Sequence, residues 1–358
     1  MHAPPPRTQP ARQWLAAAAA VLASACASID HRPLDATAGV QGVRSDPDAR
    51  FASEALPAEP ANHVVDTGRL YTVRRLEFPS VGDNGQPGDL VAVDYHRSTL
   101  PGAHPAVVIL PIWGRHLYPS DAITKAVKRR SDGALHVLNV LGPSFLIDWP
   151  ALGEATDETE FVGIWEEGAE RETTTVVDVR RLLDWAEGRP EIDGERFGLV
   201  GFSHGAIVAP VVAAHDDRIA ALVLVVGGAF PHRVIARCEG SRTATIQDRA
   251  AELFGWSRDE MEARLEPIYR HVDPARYPGR VDPAGVLIFE AARDDCIPAD
   301  AREALWEAMG RPERWVIDAS HRRAFFTMTP LYLNWMRGEI WRFLADRLLD
   351  PDPTPTSQ

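Results

Sequence analysis

The sequence predicts an α/β protein organised around a mostly parallel sheet of eight strands, flanked by helices. Three observations carry that prediction. Short continuous apolar runs, AVVILP, ALHVLNVL, FGLVGF, ALVLVV, GVLIFEA and RWVIDA, have the character of strands buried on both faces. Amphipathic helical stretches fall between them, and strand and helix in alternation build a layered sheet with right-handed crossovers. A serine set between two glycines, GFSHG at 201–205, stands where one of these runs gives way to a helix.

From the N-terminus, Arg7 and Arg12 precede an apolar run from Trp14 to Leu22 that ends in Ala23, Ser24 and Ala25. This is the pattern of an export signal over residues 1–25. The run is shorter than the roughly 20 residues a membrane-spanning helix needs. Residues 26–62 lack helical or alternating periodicity, are rich in Ala, Pro, Asp and Gly, and read as a flexible tether. The folded domain then covers 63–350. It opens with two alternating segments, LYTVRRLEF and LVAVDYHRS, joined by the turn-rich PSVGDNGQPGD into an antiparallel pair, which brings the strands to eight. DAITKAVKRR, RETTTVVDVRRLLDWAEGR, HGAIVAPVVAAH, ADAREALWEAMG and LYLNWMRGEIWRFLADRLL supply the flanking helices. After the sixth strand, ALVLVV, residues 231–280 break the rhythm, being helical and punctuated by proline without a strand. They predict a helical cap insertion over the carboxyl ends of the strands, where ligands of α/β proteins bind, or else a layer that only covers the sheet edge. Residues 351–358, PDPTPTSQ, read as a frayed tail.

Composition narrows the function classes. The chain is 45% hydrophobic and 25% charged, ordinary globular values, with a formal net charge of −13. An acidic surface argues against nucleic acid or a broad anionic membrane face as a partner and leaves a small-molecule substrate. The sequence has no G-x-G-x-x-G and no Walker loop, and no grouping of His, Cys and carboxylates has metal-ligand spacing. No cofactor and no metal are expected.

The chemistry centres on Ser203. In Gly201-Phe202-Ser203-His204-Gly205 the serine sits on the turn between the strand FGLVGF and the helix HGAIVAPVVAAH, where crowding requires residues without side chains two positions to either side. A serine hydroxyl is a weak nucleophile at neutral pH and needs a base that is itself oriented by an acid. Both follow downstream. VLIFEAARDDCIP runs from a strand into Asp294 and Asp295, and RWVIDASH runs from a strand into His321. Asp295 is the rival acid, and His271, in the insertion, is the alternative base. The backbone N–H of His204 is one donor for an oxyanion, and a second must come from the loop after AVVILP. Pro111 has no N–H, which leaves Ile112 or Trp113. The His204 side chain reads as a helix-start residue lining the pocket.

On these motifs the chain from about Leu70 to Leu349 resembles the α/β-hydrolase superfamily, especially its dienelactone hydrolase and acetyl-xylan esterase-like branches. That family carries Gly-x-x-Asp-x-x-Val-Pro after the relevant strand. Here Ala291 replaces the glycine, while Asp294, Ile297 and Pro298 keep the spacing, so the resemblance selects Asp294 as the acid. LPIWG resembles the corresponding dienelactone hydrolase turn and selects Ile112. The resemblance implies an α/β-hydrolase fold and a serine hydrolase that cleaves a carboxylic ester through an acyl-enzyme, with Ser203, Asp294 and His321 as the triad. A peptidase or amidase on the same scaffold, and a tethered binding protein without turnover, are the alternatives.

The cysteines bear on location. Cys26, directly after small residues, resembles the lipidated cysteine of the bacterial lipoprotein box, although Ala23 stands where the box prefers leucine. Lipidation implies a protein anchored at the periplasmic face of a bacterial membrane, with that N-terminal anchor as its only membrane contact; cleavage alone implies a periplasmic or secreted one. In that oxidising setting Cys238 and Cys296 can pair, or remain two buried thiols.

Overall fold

The computed structural model describes residues 28–37, 47–56, 59–81, 90–112, 118–141 and 147–349. The expected signal segment, Cys26, Trp113 and the expected tail 351–358 lie outside the described residues. The strands are β1 (Ile29–Arg32), β2 (Ala61–Thr67), β3 (Tyr71–Pro79), β4 (Leu90–Ser98), β5 (His104–Leu110), β6 (His136–Leu141), β7 (Ile192–Phe202), β8 (Ile219–Val225), β9 (Val286–Ala291) and β10 (Glu313–Ile317). They form one sheet in the order β1-β10-β9-β8-β7-β5-β6-β4-β3-β2. Neighbours from β10 across to β6 are parallel, and the pairs at both ends are antiparallel.

The parallel centre matches the apolar runs. Along β5, Ala106, Val108 and Leu110 enter the apolar layer on one face, while Val107 and Ile109 enter the other. The first layer is closed by α3 (Glu158–Glu187) and α4 (Gly205–Ala214), and the second by α1 (Ser120–Ser131) and α10 (Trp335–Leu348). A short α2 (Trp149–Glu154) precedes α3. Between β8 and β9 the expected insertion is helical, with α5 (Pro231–Arg237), α6 (Ser241–Phe254) and α7 (Arg258–Tyr269). Two more helices complete the chain: α8 (Ala299–Ala308) after β9, and α9 (His321–Ala324) after β10.

Two expectations need correction. The sheet has ten strands, not eight, because β1 and β2 extend its two edges. An edge strand with both faces in water has no reason to alternate, and β2 is exposed at every residue, so periodicity cannot reveal it. For the same reason residues 26–62 are not a tether throughout. Ile29–Arg32 pairs with β10, and Phe51 is fully buried against His215 and Tyr277, with ring centroids 4.7 and 6.1 Å away.

Buried histidines couple this packing to pH. His136 is fully buried; its Nδ1 accepts from the Ser98 N–H at 3.0 Å and its Nε2–H donates to the Glu191 carbonyl at 2.8 Å, which requires the neutral ring. Burial pushes His136 down to about 4, and burial with the neighbouring Lys128 does the same to His96. Burial also lowers His215, His232 and His271. Below their ordinary value of 6.5 these rings gain protons in the unfolded chain before the folded one, so the stability they confer is full above that pH and is lost toward about 4. Asp178 and Asp273, raised by burial, act in the opposite sense but are fewer. His136 alone accounts for roughly 2 kcal/mol between pH 7 and pH 5. The urea midpoint is expected to be lower at pH 5 than at pH 7, and an equal or higher midpoint would contradict this account.

Candidate active site

Ser203 occupies the turn between β7 and α4 in a left-handed conformation, with φ of 50°. Its N–H donates to the Val225 carbonyl at 2.8 Å, tying the turn to the end of β8. The glycines are required by space. A Cβ on Gly201 would lie 2.2 Å from the Gly205 carbonyl oxygen, and one on Gly205 would lie 2.7 Å from that of Pro111. The second contact also brings the end of β5 against the start of α4.

Ser203 Oγ lies 2.9 Å from His321 Nε2, and His321 Nδ1 lies 2.8 Å from Asp294 Oδ2 and 3.1 Å from Oδ1. The side chain of Asp294 is fully buried and that of His321 is 11% exposed. A buried carboxylate must have its acceptors filled. Oδ1 takes the N–H groups of Cys296 at 2.8 Å and Ile297 at 2.7 Å. With both Asp294 oxygens accepting, Nδ1 carries the proton and donates, which leaves Nε2 free to accept from the serine hydroxyl.

The structure separates the two adjacent acids. Asp295 does not reach the imidazole ring; its Oδ1 accepts from the backbone N–H of His321 at 3.1 Å. Consecutive carboxylates therefore hold His321 at its ring and at its backbone. His271 lies elsewhere, with Nε2 2.8 Å from Thr173 Oγ1. Ile112 is half-buried at the end of the β5 segment that meets Gly205. Trp113 lies outside the described residues.

His204 stands at the start of α4 as its N-cap residue and is buried, and its Nε2 lies 3.2 Å from Oε1 of Glu172, itself 3% exposed on α3. Sequence reasoning missed Glu172. The available signal was its place on the stripe Phe161, Trp165, Ala169, Glu172 and Val176, where every other member is apolar and all are buried. An acid on such a stripe needs a partner. Among the described residues no group of three His, Cys, Asp or Glu side chains is placed to hold a metal ion.

Cys238 and Cys296 form a disulfide. It joins the end of α5, in the helical insertion, to the loop that carries both acids, and the Glu239 N–H donates to the Asp295 carbonyl at 2.8 Å beside it. The bond closes a loop with a sequence separation of 58, which corresponds to about 4 kcal/mol of unfolded-state entropy. A Cys238→Ser/Cys296→Ser variant is expected to be less stable by that order in urea titrations; a midpoint equal to that of the oxidised parent would refute the estimate.

No protein-family model and no curated protein matches the chain. Solved structures do. The acetyl xylan esterase from Paenibacillus sp. R4 aligns with a TM-score of 0.58 at 16% identity, covering 84% of this chain and 92% of that one. Acetyl xylan esterase 1 from Thermoanaerobacterium sp. JW/SL YS485 aligns at 0.54 and 15% identity, covering 77% and 89%. The acylaminoacyl peptidase of Pyrococcus horikoshii aligns at 0.52 and 13% identity, covering 80% of this chain but 43% of that one. The likeness is one of fold.

Proposed function

The chain has the α/β-hydrolase fold, and on that basis we propose that it is an exported serine hydrolase cleaving carboxylic esters. The observation that carries the reading is the hydrogen-bonded chain from Ser203 through His321 to a fully buried Asp294, at a strand-to-helix turn. Ser203 Oγ attacks the ester carbonyl while His321 Nε2 takes its proton, and Asp294 holds the imidazole in the tautomer that can accept it. The N–H groups of Ile112 and His204 stabilise the oxyanion. The tetrahedral intermediate then expels the alcohol, which takes the proton from His321, and water releases the acyl group by the same steps in reverse.

Two of the aligned structures are acetyl xylan esterases, which favours esters over amides. Amide hydrolysis is the second reading, favoured by the peptidase alignment, although the chain spans less than half of that protein. A fluorophosphonate probe with intact-mass analysis and peptide mapping tests the class; the expected result is a single adduct on Ser203. An unlabelled protein would favour the binding-protein alternative. p-Nitrophenyl esters of increasing acyl length, compared with the matching anilides, then separate ester from amide hydrolysis. In this reading residues 1–25 serve as an export signal, and the enzyme sits at the periplasmic face of a bacterial membrane if Cys26 is lipidated and is periplasmic or secreted if it is not.

A further inference from the structure

Residues 322–333, which follow His321 directly, have a surface character at odds with the acidic chain around them. Leu331 is 81% exposed, Leu333 89% and Phe326 55%. Tyr118, also exposed, joins them by donating its hydroxyl to the Phe325 carbonyl at 3.4 Å. Arg322 and Arg323 are exposed on α9, and among the described residues neither side chain has a hydrogen-bond or ion-pair partner. Elsewhere arginines are typically matched to acids: Arg218 meets Asp184, Asp216 and Glu187, and Arg314 meets Glu290 and Glu303.

The chain enters the domain at this same end. β1 runs antiparallel to β10 with Ile29 opposite Ile317, and the Ser28 carbonyl accepts from the Asp318 N–H at 2.8 Å, just ahead of His321. The sequence before Ser28 contains the apolar run from Trp14 to Leu22 and then Cys26. Two residues span at most about 7 Å. An anchor at Cys26 therefore holds the carboxyl end of β10, and the segment continuing from it, close to the anchoring surface. Exposed leucine and phenylalanine with adjacent unpaired arginines are what a lipid interface rewards: the apolar groups enter the acyl boundary and the cations meet phosphates.

We propose that residues 322–333 are a docking surface for an anionic lipid leaflet, entered by Phe326, Leu331 and Leu333 and contacted through phosphate by Arg322 and Arg323. The proposal takes the export reading as its premise and is independent of hydrolysis. Docking in this way turns the Ser203–His321 end of the sheet toward the leaflet.

The test is partitioning of the full chain onto vesicles, using Cys26→Ser protein so that no acyl chain contributes and the same N-terminal segment is present in every arm. Vesicles of phosphatidylcholine alone are compared with vesicles containing one quarter phosphatidylglycerol. Leu331→Ser/Leu333→Ser is expected to lower partitioning about tenfold on both. Arg322→Gln/Arg323→Gln is expected to lower it several-fold on the anionic vesicles only. Thermal melts matching the parent show that the variants are folded. Equal partitioning of the leucine variant and its parent overturns the proposal. So does concentration-dependent self-association that the leucine variant abolishes while vesicle binding is unchanged, since that assigns the patch to a second copy. Turnover is not read, so failure of the hydrolase reading would appear separately, as absence of a Ser203 adduct.

Discussion

Replacing Ser203 with alanine is expected to reduce kcat for a p-nitrophenyl ester about a million-fold, with KM changed only a few-fold. The oxygen removed is the one 2.9 Å from His321 Nε2, and no other hydroxyl or thiol is hydrogen-bonded to that nitrogen among the described residues. Alanine inherits the same left-handed backbone at φ of 50°, so the substitution neither relieves nor adds strain at the turn and the melting temperature should hold. Residual turnover would come from the oxyanion donors and substrate positioning. Activity within tenfold of the parent, measured on protein free of contaminating esterase, would sink the assignment of Ser203 as nucleophile.

Asp294→Asn is expected to cost about ten-thousand-fold in kcat, and the reason lies in the bonds its carboxylate already makes. The N–H groups of Cys296 and Ile297 both point at Oδ1, so an asparagine must place its carbonyl oxygen there and turn its amide NH2 toward His321. His321 Nδ1 would then have to accept, Nε2 would carry the proton, and the ring could no longer take one from Ser203. Asp295→Asn is the matched control. An amide oxygen can still accept from the His321 N–H, so kcat should stay within about threefold of the parent. Comparable losses in the two variants would mean that the carboxylates share the task.

The parts of this site that were legible in the sequence are those with a local signature. Ser203, Asp294 and His321 each follow a continuous apolar run, because strands buried on both faces announce themselves and catalytic groups of an open α/β sheet sit at their carboxyl ends. The choice between Asp294 and Asp295 was carried only by resemblance. Two adjacent acids on one loop look alike until the backbone shows which one meets the ring. Glu172 and Phe51 were invisible for a related reason, since their partners His204, His215 and Tyr277 lie far away in sequence. The edge strands escaped because solvated backbone pairing leaves no periodic trace in side-chain type.

Strand β1 has one further consequence. Without it, β10 would present a row of unpaired N–H and C=O groups to solvent, and an open strand edge is a template on which another chain can add. Its four residues cover that edge and become the edge themselves, a short and mostly exposed one carrying Asp30, His31 and Arg32, on which another chain adds poorly. Loss of Ile29–Arg32 would expose β10 in its place. The protection of β10 against strand-to-strand addition therefore lies in a part of the sequence that looks least structured.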